Sequence, residues 1–281
     1  MRVLATVTSI VLLAMSLSAG PNARQNAVRV PPEPSDMLIH SPLGTCDAVD
    51  PRVIKSPERL RIATWNIRAA RSAPLDIIAE ELAAMQADVI GLQELDVRTR
   101  RSGFLDEPAV LATALGFHYV FAASIKWDEG DYGLAILSRW PLTEIRRHRL
   151  DSSTATEPRI VLEATVCAAG RPLRVLNHHA DSWVGSREAG FAELRGILRP
   201  NMGRGLMVLG DFNEQPDGAA VRALIDSGLV DLGAELPVRV ENRRRIDYLL
   251  ADRPLANRAS SARVWPTDKS DHHAMLVDLE W

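Results

Sequence analysis

The sequence predicts an α/β chain built on two packed, largely antiparallel sheets with helices outside, not a doubly wound parallel sheet. Two observations carry this. Short apolar runs of strand length recur from Leu60 to the C-terminus and outnumber the segments with helical period. Many of these runs also follow one another directly, without the helix that a parallel crossover needs. Length and composition agree with a globular protein: 281 residues, 46% apolar and 25% charged.

Taken in order, Leu60, Ile62 and Thr64 alternate with Arg61 and Ala63, and Trp65-Asn66-Ile67 closes the strand on a polar tip. Residues 76–86 place Ile77, Ile78, Leu82 and Met85 at helical spacing. Val89-Ile90-Gly91-Leu92-Gln93-Glu94 reads as a buried strand ending in a carboxylate. A helix over 108–115 and strands over 119–122 and 133–138 follow. Strands 160–166, 173–179 and 206–213 repeat the theme, with a helix near 187–198 between the last two. Residues 224–232 lead to a final pair of strands, 246–250 and 274–279.

The strand at 206–213 organises the chemistry. Leu206, Met207, Val208 and Leu209 form an apolar run ended by Gly210, and Asp211 and Asn213 follow. A strand continuing through Phe212 points Asp211 and Asn213 to one face and Phe212 into the core. An acceptor able to orient water then sits beside a donor able to hold an oxyanion. Polar residues recur at strand ends: Asn66, Glu94, His179, Asp211, Asn213, Asp247, Asp271 and His272. Together they suggest one edge of a sandwich lined with acceptors and imidazoles. Hard oxygen ligands such as Glu94 and Asp271 suit Mg²⁺, with Mn²⁺ and Ca²⁺ as alternatives, rather than structural zinc.

Residues 1–20 begin with Arg2, continue through a mostly apolar stretch and end in small residues, the pattern of a secretory signal peptide cleaved near Ala19. The expectation is an exported protein, periplasmic or extracellular. Residues 21–56 are proline-rich and read as a linker or an arm laid over the domain, which spans 57–281. In an oxidising compartment Cys46 and Cys167 can bridge, closing a loop of roughly 120 residues for about 4–5 kcal/mol; otherwise they are two unpaired thiols. The charge balance, 33 basic against 36 acidic residues and net −3, argues against a dedicated nucleic-acid binder.

The motifs Ala63-Thr64-Trp65-Asn66-Ile67, Leu92-Gln93-Glu94, Ala135-Ile136-Leu137-Ser138-Arg139, Asn177-His178-His179, Gly210-Asp211-Phe212-Asn213, Ile246-Asp247-Tyr248 and Ser270-Asp271-His272 stand in one order along the chain. In this the sequence resembles the endonuclease/exonuclease/phosphatase superfamily. These are metal-dependent phosphoesterases that include pancreatic-type DNase, abasic-site nucleases, neutral sphingomyelinases and inositol-polyphosphate 5-phosphatases. The resemblance implies a four-layer α-β-β-α sandwich and a set of roles. Glu94, Asn66 and Asp271 are the implied metal ligands. Asp211 orients or deprotonates the attacking water, and Asn213 holds the phosphoryl group. Asp247 fixes the tautomer of His272, which faces the phosphate, and His179 is a second donor. Arg159 stands where many members keep a phosphate-facing basic residue.

Two departures count against an abasic-site nuclease. Arg68 stands where some nuclease members carry an Asp, and Gly133-Leu134-Ala135 lacks a polar group that is common in that strand. The implied partner is a phosphate-ester substrate, either nucleic acid or a phospholipid head group. A small-molecule or inositol phosphatase and a non-catalytic binding module are the alternatives. No obligate protein partner is evident, and a monomer is expected. Arg98, Arg100 and Arg101 read as a solvated loop and Arg243-Arg244-Arg245 as a solvated turn, with reach to a substrate the alternative for both, since both follow strand ends. Phe104-Leu105 and Trp183-Val184 are candidates for touching lipid, with core or rim packing the expected role of each.

Overall fold

A computed structural model describes residues 38–40, 58–150 and 157–281. The leader at 1–20, most of the arm and the Cys46 end of the expected bridge lie outside the described residues. Within them no helix is long and apolar enough to cross a membrane.

Two sheets form the centre. The first has the order β1 (Leu38–His40), β4 (His118–Trp127), β5 (Gly130–Ser138), β3 (Val89–Val97), β2 (Arg59–Asn66), β15 (Ala274–Glu280) and β14 (Ala259–Trp265). The second runs β10 (Leu229–Asp231), β13 (Asp247–Asp252), β9 (Leu206–Asp211), β8 (Arg171–His179), β7 (Arg159–Ala168) and β6 (Leu142–Leu150). A small hairpin, β11 (Arg239–Val240) and β12 (Arg243–Arg244), stands apart. β1, from within the expected arm, pairs with β4 at the edge of the first sheet.

Each large sheet has one parallel pair, and it lies in the interior of the strand order. β2 and β3 are parallel and joined through α1 (Leu75–Met85). β8 and β9 are parallel and joined through α3 (Val184–Leu198). The remaining pairs in both sheets are antiparallel. Asn66, His179 and Asp211 are therefore the C-terminal residues of β2, β8 and β9, while Glu94 lies near the end of β3. A crevice beyond the carboxyl ends of parallel strands is where open α/β sheets bind ligands.

Alternation along the strands makes the layers. In β9, Met207 and Leu209 face the core between the sheets, with Ile62, Val89, Leu162, Val175 and Val277. Leu206 and Val208 face outward onto Phe191, Leu194, Val221 and Leu224 of α3 and α4 (Ala219–Asp226). On the far side, Trp65, Ile90 and Leu276 pack against Ile78, Leu82 and Leu111 of α1 and α2 (Glu107–Leu115). Both sheets are thus buried on both faces, which accounts for their nearly continuous apolar runs. The result is the four-layer α-β-β-α sandwich.

The structure adds elements that periodicity does not reveal. β6 mixes half-buried and exposed positions between two buried ends and is rich in charge because it is an edge strand. β14, an edge of the other sheet, is half exposed. β4 extends well past residue 122 through a register shift between Ala123 and Ile125. α4 runs into the 224–232 segment, the later part of which is β10. A short α5 (Arg253–Ala256) is capped by Asp252.

Candidate active site

β9 ends at Asp211, and the chain then turns. Phe212 is fully buried, with its N–H donated to the Ile246 carbonyl. Asn213 takes a left-handed φ of 51° instead of continuing the strand. Its backbone N–H donates to Asp211 Oδ1 at 2.9 Å, and its side-chain amide donates to the Ala180 carbonyl at 3.0 Å. Asn213 therefore anchors Asp211 and the end of β8. One N–H of its carboxamide is engaged internally, while the second N–H and Oδ1 have no partner among the described residues and Asn213 lines the cavity beside Asp247 and His272.

Gly210 makes the geometry possible. Its φ is +138°, and a Cβ there would lie 1.8 Å from the His178 carbonyl oxygen on the paired strand β8. Only glycine allows this approach. It brings Asp211 alongside His179, with 3.5 Å from Asp211 Oδ2 to His179 Nε2. The alternation of β8 sends the neighbouring His178 the other way. That ring is buried against Phe191 and Phe212, and its Nδ1 meets the Ile160 carbonyl.

Asp211 Oδ2 is ringed by donors. Asn66 Nδ2 donates to it at 3.0 Å, and His272 Nε2 lies 3.5 Å away. The same Asn66 amide reaches Glu94 Oε1 at 3.0 Å, so one carboxamide links the two carboxylates across the two sheets. Glu94 sits at a β-bulge between Gln93 and Leu95, with φ 59°. A bulge re-aims one side chain out of a strand's alternation, and here that side chain is the carboxylate expected to hold the metal.

His272 is placed by its loop. Ser270 Oγ donates to the Asn66 carbonyl at 2.6 Å, and Trp65 Nε1 donates to the His272 carbonyl at 3.1 Å. The His272 ring puts Nδ1 2.9 Å from Asp247 Oδ2. Asp247 opens β13 directly opposite Asp211. Burial works against a charged His272. The charge of Asp247 and its hydrogen bond, with Asp211 and Asp271 adding, outweigh it and raise the imidazole to about 10. Burial raises Asp211 to about 7; the His272 charge and the bonds from Asn213 and Asn66 pull it down, and Asp247 pushes it up. Burial, then the charges of Arg159, His272 and His178, hold His179 well below the ordinary range, as a neutral ring. A cationic His272, a neutral His179 and a carboxylate poised near neutrality thus meet at one point.

Arg159, at the start of β7, is buried and paired with Glu157 at 2.7 Å. It acts on this centre through its charge on His179.

The donor set offers two places for a cation. Asp211, Asp247 and His272 bring one ligand atom each within 4.8 Å of one another. There His272 already has its Nδ1 bonded to Asp247 and its proton affinity raised by that carboxylate, which suits a relay better than a ligand set. Glu94 fits better: its hard carboxylate accepts only the Asn66 amide among the described residues, leaving a second oxygen without a bond. Arg68 engages the other two expected ligands. Its N–H donates to Asn66 Oδ1 at 3.0 Å, and its Nε pairs with the half-exposed Asp271 at 3.2 Å. Glu94 would hold the ion, with Asn66 and Asp271 beside it.

The two arginine runs differ: Arg98, Arg100 and Arg101 are all exposed, as expected of a solvated loop, while the run at 243–245 is more structured than a solvated turn. Arg245 is buried, bonded to Asp231 at 3.0 Å and laid over Tyr248. Arg243 bonds the Thr267 carbonyl, and only Arg244 is exposed. Arg101 is held by Asp96 through Nε and Nη2 at 2.6 and 2.7 Å. The apolar pairs are the reverse case. Phe104, Leu105 and Val184 are exposed and Trp183 is 75% exposed, so none packs into the core.

Two cavities flank the centre. One of 450 Å³ is lined by Asn213, Arg244, Asp247, Asp271 and His272. The other, of 300 Å³, is lined by Glu94, Arg71, Arg101, Trp127, Tyr132 and Glu157.

Two carboxylates, Asp211 and Glu94, and two imidazoles, His179 and His272, thus gather at one edge of the two sheets, an arrangement with the groups that hydrolytic chemistry needs. The model of the Endonuclease/Exonuclease/phosphatase family matches residues 63–272, and the chain belongs to that family. No curated protein matches the chain. Among solved structures it is similar to the 3′ phosphatase NExo from Neisseria bound to product DNA hairpin, at 22% identity and TM-score 0.63, over 79% of this chain and 100% of that one. It is similar to an AP endonuclease from Archaeoglobus fulgidus at 21% identity and TM-score 0.61, over 79% and 100%. A mannosyl-6-phosphatase from Bacteroides thetaiotaomicron is similar at 18% identity and TM-score 0.60, over 78% and 98%. At these identities the likeness is one of fold.

Proposed function

We propose that the chain is an exported, Mg²⁺-dependent phosphodiesterase. The observation that carries this is the single point where Asp211 Oδ2 meets His179 Nε2, His272 Nε2 and the Asn66 amide. Asp211 takes a proton from a water aligned on phosphorus, and its raised affinity for protons suits a base working near neutrality. His272, charged and oriented by Asp247, faces the phosphoryl oxygens as a donor and neutralises developing charge. His179, neutral, adds a donor on the same side. A divalent ion on Glu94 would supply Lewis-acid stabilisation of the phosphoryl and leaving oxygens. Export rests on the pattern of residues 1–20.

A diester is favoured over a monoester because there is room on both sides of the centre, 450 and 300 Å³. A monoester carries one organic group and needs one. The solved structures do not choose between nucleic acid and other esters: NExo is bound to a DNA hairpin, and another neighbour is a mannosyl-6-phosphatase.

The test is hydrolysis of bis(p-nitrophenyl) phosphate with Mg²⁺ and with EDTA, beside Asp211→Ala and His272→Ala variants checked for folding by circular dichroism. The expected result is Mg²⁺-dependent turnover reduced about 10²–10⁴-fold in each variant. Full activity in folded Asp211→Ala would refute the assigned base. Absence of turnover from the chain and across a panel of DNA, RNA, sphingomyelin and inositol phosphates would favour a binding module.

A further inference from the structure

Beside Glu94, the 300 Å³ cavity holds a guanidinium built to stay still. Arg101 is gripped by the buried Asp96 through two nitrogens, Nε and Nη2. Asp96 is itself fixed: Thr99 Oγ1 donates to it at 2.8 Å, and its N–H donates to the buried Glu107 at 2.8 Å. The Arg101 Cζ lies 5.1 Å from the Trp127 ring centroid and 5.4 Å from that of Tyr132. Two rings from β4 and β5 and a carboxylate from β3 thus hold one side chain from the loop after β3. Its third nitrogen, Nη1, has no hydrogen-bond partner among the described residues. Arg71 lines the same cavity, exposed and likewise without a side-chain partner among them. Of the two carboxylates there, Glu157 is paired with Arg159 and Glu94 is the expected cation ligand. Arg101, like Arg71, is exposed, so two guanidinium groups with solvated donors converge on one cavity that an anion can enter.

We infer that this cavity is a second anion site, in which Arg101 and Arg71 take a further phosphate of a substrate whose scissile phosphate lies at Asp211. The inference rests on the phosphoesterase reading and deepens it, by restricting the substrate to molecules with at least two phosphates. Preorganisation is the physical reason. An arginine free in solution loses rotamer freedom on binding a phosphate, whereas this one has already lost it to Asp96 and the two rings. A charge-assisted bond made by such a group is stronger than a neutral one. Either a nucleotide chain or a polyphosphorylated small molecule can present two phosphates.

Calorimetric binding to the full chain in metal-free buffer tests this without hydrolysis. Thymidine 3′,5′-bisphosphate is compared with thymidine 5′-monophosphate, and inositol 1,4-bisphosphate with inositol 1-phosphate. The second phosphate is expected to tighten binding about tenfold or more in one pair. That pair identifies the source as nucleotide or polyol. The advantage should fall below about threefold in Arg101→Gln and be intermediate in Arg101→Lys, which keeps charge but not the fork. Arg71→Gln, at an exposed position, should reduce it too and covers the case in which Arg101→Gln does not fold. Equal binding within both pairs, or an advantage unchanged in Arg101→Gln and Arg71→Gln, would overturn the inference. Because this is a binding measurement, failure of the phosphoesterase reading shows separately as absent turnover.

Discussion

Gly210→Ala tests the claim that a backbone contact, and not a side chain, places the base. The φ of +138° belongs to a region that side-chain-bearing residues avoid, at roughly 1–3 kcal/mol. The added Cβ would also stand 1.8 Å from the His178 carbonyl oxygen. That neighbour is backbone in a hydrogen-bonded strand and cannot rotate aside. Relief requires β8 and β9 to part locally, and each ladder bond lost there costs about 0.5–1.5 kcal/mol. The sum is about 3 kcal/mol or more, a large fraction of a typical domain's 5–15 kcal/mol. Urea unfolding measures it. Gly196→Ala is the control, since Gly196 lies in α3 and an added Cβ there meets nothing within 4 Å. It should stabilise the helix by up to about 1 kcal/mol. The same chemical change would then have opposite signs at two glycines. A Gly210→Ala protein within 1 kcal/mol of wild type would refute the account of how Asp211 is held.

Two further perturbations bear on charge. Burial alone would raise Asp278, but Arg61, at 2.7 Å, with Ser261 and Arg59 brings it down to about 2 from an ordinary 3.8. A depressed carboxyl stabilises the fold above its unfolded value and loses that contribution as pH falls through the folded one. About 2–3 kcal/mol should therefore vanish between pH 4 and 2, and urea titrations of Asp278→Asn should lack that decline. Asp247→Asn removes the main support for the His272 charge, so burial then dominates and the imidazole falls from about 10. The basic limb of the kcat profile should move to lower pH, with an activity loss on the order of 10²-fold at neutral pH; an unchanged profile would separate His272 from catalysis.

What was legible from sequence follows from burial on both faces. β2, β3, β8 and β9 read as apolar runs because helices cover the outer side of each sheet, and their polar tips stand out against that background. Asn66, Glu94, His179 and Asp211 are visible for this reason. β6 and β14 are not, since an edge strand half in water carries charges that break the pattern. Arg245, buried instead of solvated, and the tether on the exposed Arg101 are invisible for a different reason. Neighbours in sequence suggest a solvated run, while their partners Asp231, Tyr248, Trp127 and Tyr132 come from other strands. Nothing local records such pairings. Asn213 was placed on a continuing strand because Phe212 keeps the alternation. The turn that follows is tertiary, set by the Phe212 N–H reaching Ile246 and the Asn213 amide reaching Ala180.

The site also depends on a spacing that neither sheet can set alone, because Glu94 belongs to one and Asp211 and His179 to the other. A buried polar ladder behind them fixes it. Asn177 on β8 donates to the carbonyls of Leu92 and Ala135, both at 2.8 Å, and accepts from Gln93 Nε2 at 2.7 Å. Gly91 leaves the space, since a Cβ there would stand 3.4 Å from the Asn177 side chain and 2.0 Å from Leu209. An apolar contact would slide, whereas these bonds register β3 against β8 one residue behind Glu94 and two behind His179. The left-handed turns at Arg68, Ala69, Ala70, Glu94 and Asn213 gather at the same edge. Each is unfavourable by itself, and the doubly covered sheets beneath them offset that strain. Left-handed residues occur in turns elsewhere too, such as Gln86 and Ala169, but at this edge Glu94 and Asn213 use that backbone to aim or anchor carboxylates, while the polar ladder and the covered strands hold the distance between them.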